Sequence, residues 1–384
     1  MTVAGPARPG TLRVDPLALG LAADPYPVYA EMRASGALVA AGPGTYAVTR
    51  HHDVAALLRE PRLSHRFPDS YRGFAVGTGP TCELLQRIVS SQEPPAHTTA
   101  RQRLGATLDA AASPRWWGQA RSRVDATVRA AVATGRFDVV TDLATPLAVD
   151  LVGDLYGLDA AERVEVADAA PVLGRALTAL RLSAGDREAA DAAVVASRRV
   201  LGAKHGSPDD PVVLDDAVFL CFTAIEMITS SIATCVAVLL AHPDQLARLR
   251  ADRGLLDTAV AELLRFDSPT QGTLRRVVAP LTVDGQAVRP GRALLLLLGA
   301  ANHDEAVFAE PARLDLGRAP NPHLSFGGGP YRCLGAHLAT RLCATVLDLL
   351  LTRTSRLEPA GEPRRHPPET FCRSYARIPV EVTP

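Results

Sequence analysis

The sequence has no net charge, no closely spaced cysteine pair and no secretion signal. Lysine plus arginine and aspartate plus glutamate each total 41 among 384 residues. Because neither sign is in excess, the composition indicates no general attraction to nucleic acid or to an anionic membrane. The six cysteines include no C-x-x-C pair, which argues against a zinc site and a disulfide framework. Free thiols fit a reducing cytoplasm, and residues 1–20 lack the basic-then-apolar layout of a signal peptide.

The chain also lacks internal repeats and interdomain linkers. It is 47% hydrophobic and 21% charged, which is typical of a globular protein with an ample core. We therefore predict a single domain over residues 1–384, with a flexible N-terminal segment at residues 1–20.

One long apolar stretch, residues 218–241, carries a single charge, that of Glu226, and is long enough to cross a bilayer. Five hydroxyl side chains interrupt it, and no basic flank precedes it. A helix that is apolar on all sides also occurs in the core of large soluble proteins. We interpret the stretch as a core helix and expect no membrane association.

The most informative stretch is a glycine-rich loop that ends in one cysteine. Residues 326–335 read Phe-Gly-Gly-Gly-Pro-Tyr-Arg-Cys-Leu-Gly. Because glycine lacks a Cβ, the backbone at 327–329 can lie close against a flat group. Cys333 is placed near a helix start, where the helix dipole and Arg332 favour a thiolate that could bind a metal. Apolar residues at every fourth position then predict one buried helix face, formed by Leu334, Leu338, Leu342, Val346 and Leu350.

This loop resembles the haem-binding loop of the cytochrome P-450 family, Phe-Gly-x-Gly-x-x-x-Cys-x-Gly. The resemblance implies haem b, with Cys333 as the thiolate ligand of the iron and with Phe326 and Tyr331 at the haem. The alternative for Cys333 alone is a buried structural cysteine that follows a glycine loop. The matching positions are Phe326, Gly327, Gly329, Cys333 and Gly335.

Other motifs of the same family bear on the haem propionates. His97 and Arg101 are four residues apart, so both project from one face of a helix. Two cations side by side repel each other unless they share an anion, and the family places this pair on the propionates. The resemblance adds Arg275, with Arg276 as the alternative. At position 331 the family usually has histidine or arginine, whereas Tyr331 can donate one hydrogen bond but carries no positive charge.

A Glu-x-x-Arg motif, formed by Glu262 and Arg265, lies in an apolar helix. In the family these two residues form a buried triad with a second arginine behind the haem loop. Arg313 fits the position of that second arginine.

The long apolar helix departs from the family pattern at one position. Glu226 fills the place of the usual acid, but Met227 stands where the family has a threonine. Cleavage of dioxygen at a haem needs protons that hydroxyls, carboxylates and water deliver, and a thioether cannot donate one. We therefore expect Glu226, with Thr223, Ser230 or a substrate hydroxyl, to relay protons. The alternative is that Met227 only fills space in the pocket.

The resemblance also indicates which segments surround the substrate. Residues 63–92 are interrupted by glycine and proline and predict a long loop over the pocket. The region before residue 211 is shorter than in the family, which usually has an extra helix and hairpin there. The residues predicted to line the pocket are Phe74, Ala224, Met227, Thr270, Thr273 and Phe371.

The resemblance spans nearly the whole chain and implies the P-450 fold, a triangular prism of helices that is mainly α with a small β region. It implies a monooxygenase that oxidises an apolar, natural-product-like substrate with dioxygen and with electrons from ferredoxin and ferredoxin reductase. We expect a cytoplasmic monomer that does not bind nucleic acid.

Two alternative functions stay open. Met227 favours a non-hydroxylating haem-thiolate reaction, such as radical C–C or C–O coupling or nitrogen-group transfer. The other alternative is a catalytically silent helper protein of the same fold. Known helpers of that kind tend to lack the cysteine, so Cys333 argues against it.

Overall fold

The computed structural model of the protein describes residues 24–179, 181–205, 210–366 and 371–384. The N-terminal segment predicted at residues 1–20 lies outside these ranges. Within them, a large helical region packs against a small β region, as predicted from the sequence. The helices are α1 (Tyr26–Ser35), α2 (His51–Leu57), α3 (Asp69–Val76), α4 (Pro80–Arg87), α5 (Ala96–Ala111), α6 (Pro114–Ala133), α7 (Thr145–Tyr156), α8 (Ala160–Thr178), α9 (Ala184–His205), α10 (Pro211–Leu240), α11 (Pro243–Ala251), α12 (Leu256–Phe266), α13 (Leu298–Ala301) and α14 (Ala336–Arg353).

The strands form one five-stranded sheet and three smaller ones. The large sheet has the order β1-β2-β8-β5-β3, in which β2 and β8 are parallel and the other neighbours are antiparallel. The three-stranded sheet has the order β4-β12-β9, and β6-β7 and β10-β11 are hairpins. The strands are β1 (Val39–Ala40), β2 (Thr45–Val48), β3 (Leu63–Ser64), β4 (Arg136–Asp138), β5 (Thr273–Val277), β6 (Leu281–Val283), β7 (Gln286–Val288), β8 (Ala293–Leu296), β9 (Arg356–Pro359), β10 (Arg364–Arg365), β11 (Tyr375–Arg377) and β12 (Pro379–Thr383).

Helix α10 is the apolar stretch singled out in the sequence, and it runs through two hydrophobic clusters. Its first half, which includes Ile225, packs with α4, α7, α8 and α9, and its second half, which includes Ile232, packs with α6, α12 and α14. Pro211 stands in its first turn, and the Asp210 carboxylate accepts a hydrogen bond from the Val212 amide at 2.9 Å. In its most apolar 18-residue window 67% is buried, so α10 is a core helix as we expected.

The segment at 63–92 differs from the prediction of a long loop. It contains β3, α3 and α4, and most of the glycines and prolines that suggested breaks stand at helix ends, whereas Gly73 lies inside α3. Pro80 occupies the first turn of α4, where its missing N–H costs nothing. Gly77 follows α3 with φ of 87°, a conformation that glycine adopts without strain. The glycine and proline residues correctly indicated breaks in the chain, but the helices α3 and α4 between those breaks were not predicted from the sequence.

The connection between α9 and α10 spans only residues 206–210, which leaves no room for an additional helix and hairpin. Two buried acids in the first turns of α10 tie this region together. Asp215 pairs with Arg198 of α9 at 2.7 Å and with Arg87 of α4 at 3.3 Å. Asp216 pairs with Arg103 of α5. These ion pairs hold the start of α10 against three neighbouring helices.

Candidate cofactor and substrate site

The glycine loop folds back on the end of α2 and presents Cys333. Gly327 and Gly329 have φ of 67° and 65°, values that side chains with a Cβ adopt only with strain. A Cβ at Gly329 would stand 2.4 Å from the Leu58 carbonyl oxygen, so the close approach requires glycine there. The Cys333 amide donates to the Phe326 carbonyl at 2.9 Å and closes the loop. Gly335 is the N-terminal cap of α14, so Cys333 lies two residues before the cap and three before the first residue of the helix.

The thiol of Cys333 is accessible, although protein surrounds it on most sides. Burial raises the pKa of this thiol, and it outweighs the Gly335 amide and the charges of Arg332 and Arg101, which lower it. The expected effects of the helix start and of Arg332 are therefore present, and both favour a thiolate, but burial opposes them. A positive charge bound at the sulfur, such as a metal ion, would favour the thiolate further.

The three basic side chains predicted to hold the propionates lie around the segment from Tyr331 to Cys333. His97 is 3% exposed and Arg275 is 4% exposed, and Arg101 lies close enough to act on the Cys333 charge. Within the described ranges, none of the three forms an ion pair with a carboxylate. Burial lowers the pKa of all three, that of Arg275 to about 9. Arg275, rather than Arg276, is the buried arginine of this strand; the Arg276 guanidinium donates to the Arg66 carbonyl at 2.9 Å.

Tyr331 contributes its ring to this cluster but not its hydroxyl. The ring centroid lies 4.0 Å from that of His97. The hydroxyl donates to the Gln92 carbonyl at 2.9 Å and lies 3.4 Å from the Glu93 carboxylate, and burial raises its pKa to about 12. The expected hydrogen bond from this phenol to a cofactor is therefore replaced by one to the chain.

His65 belongs to the same cluster, and sequence reasoning missed it. Its ring lies 4.0 Å from that of Tyr331. Burial and the neighbouring Arg275 and His97 lower its pKa to about 2. His65 directly follows Ser64 of β3. What places it in this cluster is the pairing of β3 with β5, which joins residues far apart in the chain and could not be predicted from the sequence.

The chemistry of these donors fits a haem. An accessible thiol can ligate the iron. The buried His97 and Arg275 and the partly exposed Arg101 have no carboxylate partner among the described residues, an arrangement that an added anion would stabilise, and a haem brings two propionates. Phe326 packs partly buried at the base of the loop, where an apolar ring suits a porphyrin face.

The Glu-x-x-Arg motif forms a buried triad, but its third member is not Arg313. Glu262 and Arg265 are both fully buried and bond at 2.7 and 2.9 Å. Arg318 donates to both Glu262 oxygens at 3.1 Å, whereas Arg313 pairs with Glu310 on the surface. The chain turns between these two arginines, so that the later one returns to Glu262.

This triad supports the cysteine loop through Asn302. Arg265 donates to the Asn302 carbonyl at 2.7 Å, and the Asn302 side-chain oxygen accepts from the Leu324 amide at 2.7 Å. The Ser325 hydroxyl donates to the Leu264 carbonyl at 2.8 Å. These bonds fix the two residues that precede Phe326.

On α10, the residues predicted to relay protons do not form one hydrogen-bonded chain. Glu226 lies against Gly174 of α8, and burial raises the pKa of its carboxyl despite Arg175 nearby. The Thr223 hydroxyl donates to its own helix backbone, to the Phe219 carbonyl at 2.6 Å. Ser230 is 4% exposed.

The predicted pocket residues fall into different places. Thr270 lies across from α10, with its hydroxyl 3.9 Å from the Met227 sulfur. Ala224 is partly buried on α10, and Phe371 is partly buried beside the large sheet. The Thr273 hydroxyl accepts from Arg275 at 2.6 Å and so serves the basic cluster.

Phe74 differs from its prediction as a pocket residue. Its ring is 58% exposed, and the Arg181 guanidinium lies 4.9 Å from the ring centroid. The reason is that α3, on which Phe74 lies, forms a helix at the surface rather than a loop folded inward.

Comparison with known proteins supports the same reading. The family model for cytochrome P450 matches residues 238–379. Nocardicin C N-oxygenase of Nocardia uniformis subsp. tsuyamanensis is 30% identical, over 95% of this chain and 96% of its own length. The crystal structure of CalO2 superposes with a TM-score of 0.84 at 30% identity, covering 97% and 99% of the two chains. CxnD, a cytochrome P450 for C–S bond formation in chuangxinmycin biosynthesis, shares the fold with a TM-score of 0.80 at 23% identity, covering 98% and 100%.

A near full-length relative at 30% identity and a matching family model leave the family in no doubt. Its curated relatives are bacterial and include enzymes of natural-product biosynthesis. The chain belongs to the cytochrome P450 family of oxidoreductases, which bind haem b through a cysteine thiolate.

Proposed function

We propose that this chain is a haem-thiolate monooxygenase in which Cys333 holds the iron of haem b. The observation that carries the proposal is an exposed cysteine in the neighbourhood of buried basic side chains that have no carboxylate partner among the described residues. His97, Arg101 and Arg275 would hold the propionates, and Phe326 would pack at the porphyrin. The bound haem supplies the oxidising chemistry, since a thiolate ligand pushes electron density that favours O–O cleavage.

The test is spectroscopic. Protein produced with haem precursor, reduced and treated with carbon monoxide, should give the red-shifted band of thiolate-ligated iron. Cys333→Ser should abolish the band, and Cys82→Ser, which changes a buried cysteine of α4 in the same hydrophobic cluster as residues of α9, should keep it. A colourless wild-type protein, or nitrogen in place of sulfur on the iron, contradicts the assignment.

We infer that the substrate is an apolar, natural-product-like small molecule. Ala224, Met227 and Thr270 offer a mostly apolar surface with one hydroxyl between α10 and the strand that leads to β5. A relative acts in the same general class of chemistry, as the name nocardicin C N-oxygenase indicates. A spectral binding screen tests this: substrates that displace water from the iron shift the haem toward high spin, whereas charged compounds of similar size should not.

For proton delivery we propose Glu226 as the acid, in concert with hydroxyl groups. Burial raises the pKa of the Glu226 carboxyl above its usual range, which favours the protonated form and suits a group that gives up a proton during the reaction. Met227 cannot pass that proton on. Thr223, Ser230, Thr270 or a substrate hydroxyl would have to do so, and Thr270 is the one in contact with Met227.

Met227→Thr tests this relay. The variant should lower the fraction of electrons lost as peroxide and raise the product yield. Ile228→Thr, one residue further along α10, introduces the same hydroxyl at the neighbouring position as a control. If peroxide release and yield are unchanged in Met227→Thr, Met227 only fills space and the relay does not pass position 227.

A second candidate function, a non-hydroxylating coupling reaction, is favoured by Met227. The fold accommodates such chemistry, as its occurrence in CxnD illustrates. Turnover under isotope-labelled dioxygen separates the two candidates, because a hydroxylase leaves label in the product and a coupling enzyme does not.

We further propose that the protein acts in the cytoplasm as a single-domain monomer that receives electrons from ferredoxin and ferredoxin reductase. Arg332 is exposed next to Cys333 and could contact an acidic electron donor. Arg332→Glu should slow reduction by ferredoxin and leave reduction by dithionite unchanged. Equal rates with ferredoxin would exclude Arg332 from the docking surface.

A further inference from the structure

Position 331 holds a tyrosine whose hydroxyl is already bound to the chain. It donates to the Gln92 carbonyl at 2.9 Å, and its ring is held beside His97. The hydroxyl is therefore directed away from any cofactor group that Arg275 and His97 contact. The basic cluster has no donor from this position.

His65 brings an imidazole to the same place from another part of the chain. Antiparallel pairing sets Leu63 opposite Val277 and Ser64 opposite Arg276, so the chain leaves β3 at His65 alongside Arg275. The ring then lies 4.0 Å from the Tyr331 ring, at an angle of 37° between planes. Strand register and ring contact together fix the position of His65.

The Nε2 atom of His65 is buried and has no hydrogen-bond partner among the residues that the structure describes. A buried polar atom without a partner is unfavourable, and in native proteins it usually has a ligand or water. The charged groups that act on His65 are Arg275, His97 and Arg72, and none of them can accept its proton when charged.

Glu93, the acid that the described part of the chain brings to this neighbourhood, already has hydrogen-bond partners. The Glu93 carboxylate accepts from the Ser64 hydroxyl and lies 3.4 Å from the Tyr331 hydroxyl. It therefore compensates neither His65 nor Arg275 by a direct ion pair. Among the described residues no free carboxylate stands near His65, so an acceptor for its Nε2 atom would come from outside the polypeptide.

We propose that His65 donates its Nε2–H to a haem propionate and supplies the contact that position 331 lacks, with Tyr331 acting as the positioning residue that holds the imidazole. The inference rests on the proposed binding of haem through Cys333. It adds a binding residue directly after β3, in a segment that carries none of the motifs that identify the family in this chain.

The experiment measures haem retention in the holoprotein by transfer to excess apomyoglobin. His65→Phe keeps an aromatic ring against Tyr331 but removes the donor, and should release haem roughly ten times faster, because a hydrogen bond to a charged group has about that effect or more. His65→Gln retains a donor and should recover most of the loss. His52→Phe, at a histidine that is 93% exposed and pairs with Asp53, should release haem at the wild-type rate.

A modified cofactor separates hydrogen bonding from packing. In proteins reconstituted with haem dimethyl ester, whose propionates carry no charge, wild type and His65→Phe should differ by less than about twofold, since a neutral acceptor gives a weaker hydrogen bond. If His65→Phe still loses the ester about tenfold faster, or loses ordinary haem at the wild-type rate, the propionate contact is refuted.

Failure of the underlying function has a different signature. Should wild-type protein not bind haem through sulfur, no thiolate band appears in any variant. Should haem bind as proposed while His65 plays no part, every variant shows the band and the transfer rates coincide.

Discussion

Two clusters of buried basic side chains differ in the source of their negative charge. In the first, Arg265 and Arg318 surround Glu262, which also accepts from the Asn321 side chain at 3.1 Å. In the second, His97, Arg101 and Arg275 have no carboxylate within ion-pair distance among the described residues. The first cluster contains its own carboxylate and holds the neighbouring backbone in place through hydrogen bonds. The charges of the second cluster are balanced only when an anion binds.

This difference distinguishes charged residues that stabilise the fold from charged residues that bind a ligand, and it does so without reference to any family. A buried ion pair balances its desolvation cost through its partner. A buried cation without a partner lowers stability, and the fold retains it only where something else, such as a ligand, compensates. The lowered pKa of Arg275, to about 9, is the electrostatic expression of that imbalance.

The largest expected effect comes from breaking the first cluster. Arg318→Ala leaves Glu262 with one fewer partner in a fully buried site and should lower the free energy of unfolding by about 3–5 kcal/mol. Arg313→Ala, the matched control at a surface ion pair, should cost less than about 1 kcal/mol. Urea unfolding of the two variants checks this, and equal losses would restore Arg313 to the triad.

A pH dependence should appear at His303, which lies beside Arg265. Burial lowers its pKa to about 4, against roughly 6.5 in an unfolded chain. The unfolded state therefore binds more protons between these values, and stability falls as pH drops from about 6.5 to about 4, by up to about 3 kcal/mol. His303→Phe, which keeps the stacking on Tyr26, should flatten this slope in urea unfolding at pH 7 and pH 5. An unchanged slope would show that His303 does not titrate in this range.

The second cluster should respond only when haem is present. Arg275→Leu removes a buried cation, so we expect protein made without haem precursor to be as stable as wild type or more stable. Haem binding should weaken by about 1.5–3 kcal/mol, the contribution of a hydrogen bond to a charged group. Unfolding with and without haem precursor, together with haem transfer rates, measures both effects. A loss of stability of equal size in both preparations would make Arg275 structural, like Arg265.

The smallest expected effect is at Tyr331. Tyr331→Phe removes the hydrogen bond to the Gln92 carbonyl and should cost about 1 kcal/mol of stability. Because the ring is retained, haem transfer should proceed at the wild-type rate. Faster haem loss would mean that the phenol contacts the cofactor after all, and would move Tyr331 from the positioning role to direct binding.

Short-range patterns were read correctly because adjacent residues decide them. The spacing of Glu262 and Arg265 puts both on one helix face, and Asp284-Gly285, a residue pair typical of hairpin turns, has φ of 45° and 74°. The assignment of Arg313 to the triad was wrong. The chain turns between residues 313 and 318, and these turns bring Arg318 rather than Arg313 to Glu262. The helices α3 and α4 were also not predicted, because the glycine and proline residues at their ends are equally typical of a loop.

Sequence alone determined the identity of the cysteine loop, the apolar core helix and the chemical type of the groups around the thiol, because each depends on residue type and local spacing. The tertiary structure decided which of the buried charged groups have a partner of opposite charge. Ser64 and Tyr331, which are far apart in the sequence, both lie next to the Glu93 carboxylate. The pairing of β3 with β5, more than two hundred residues later in the chain, places His65 beside Arg275. Whether a buried charge has a partner depends on distances in space, and these arise only when the strands and helices pack.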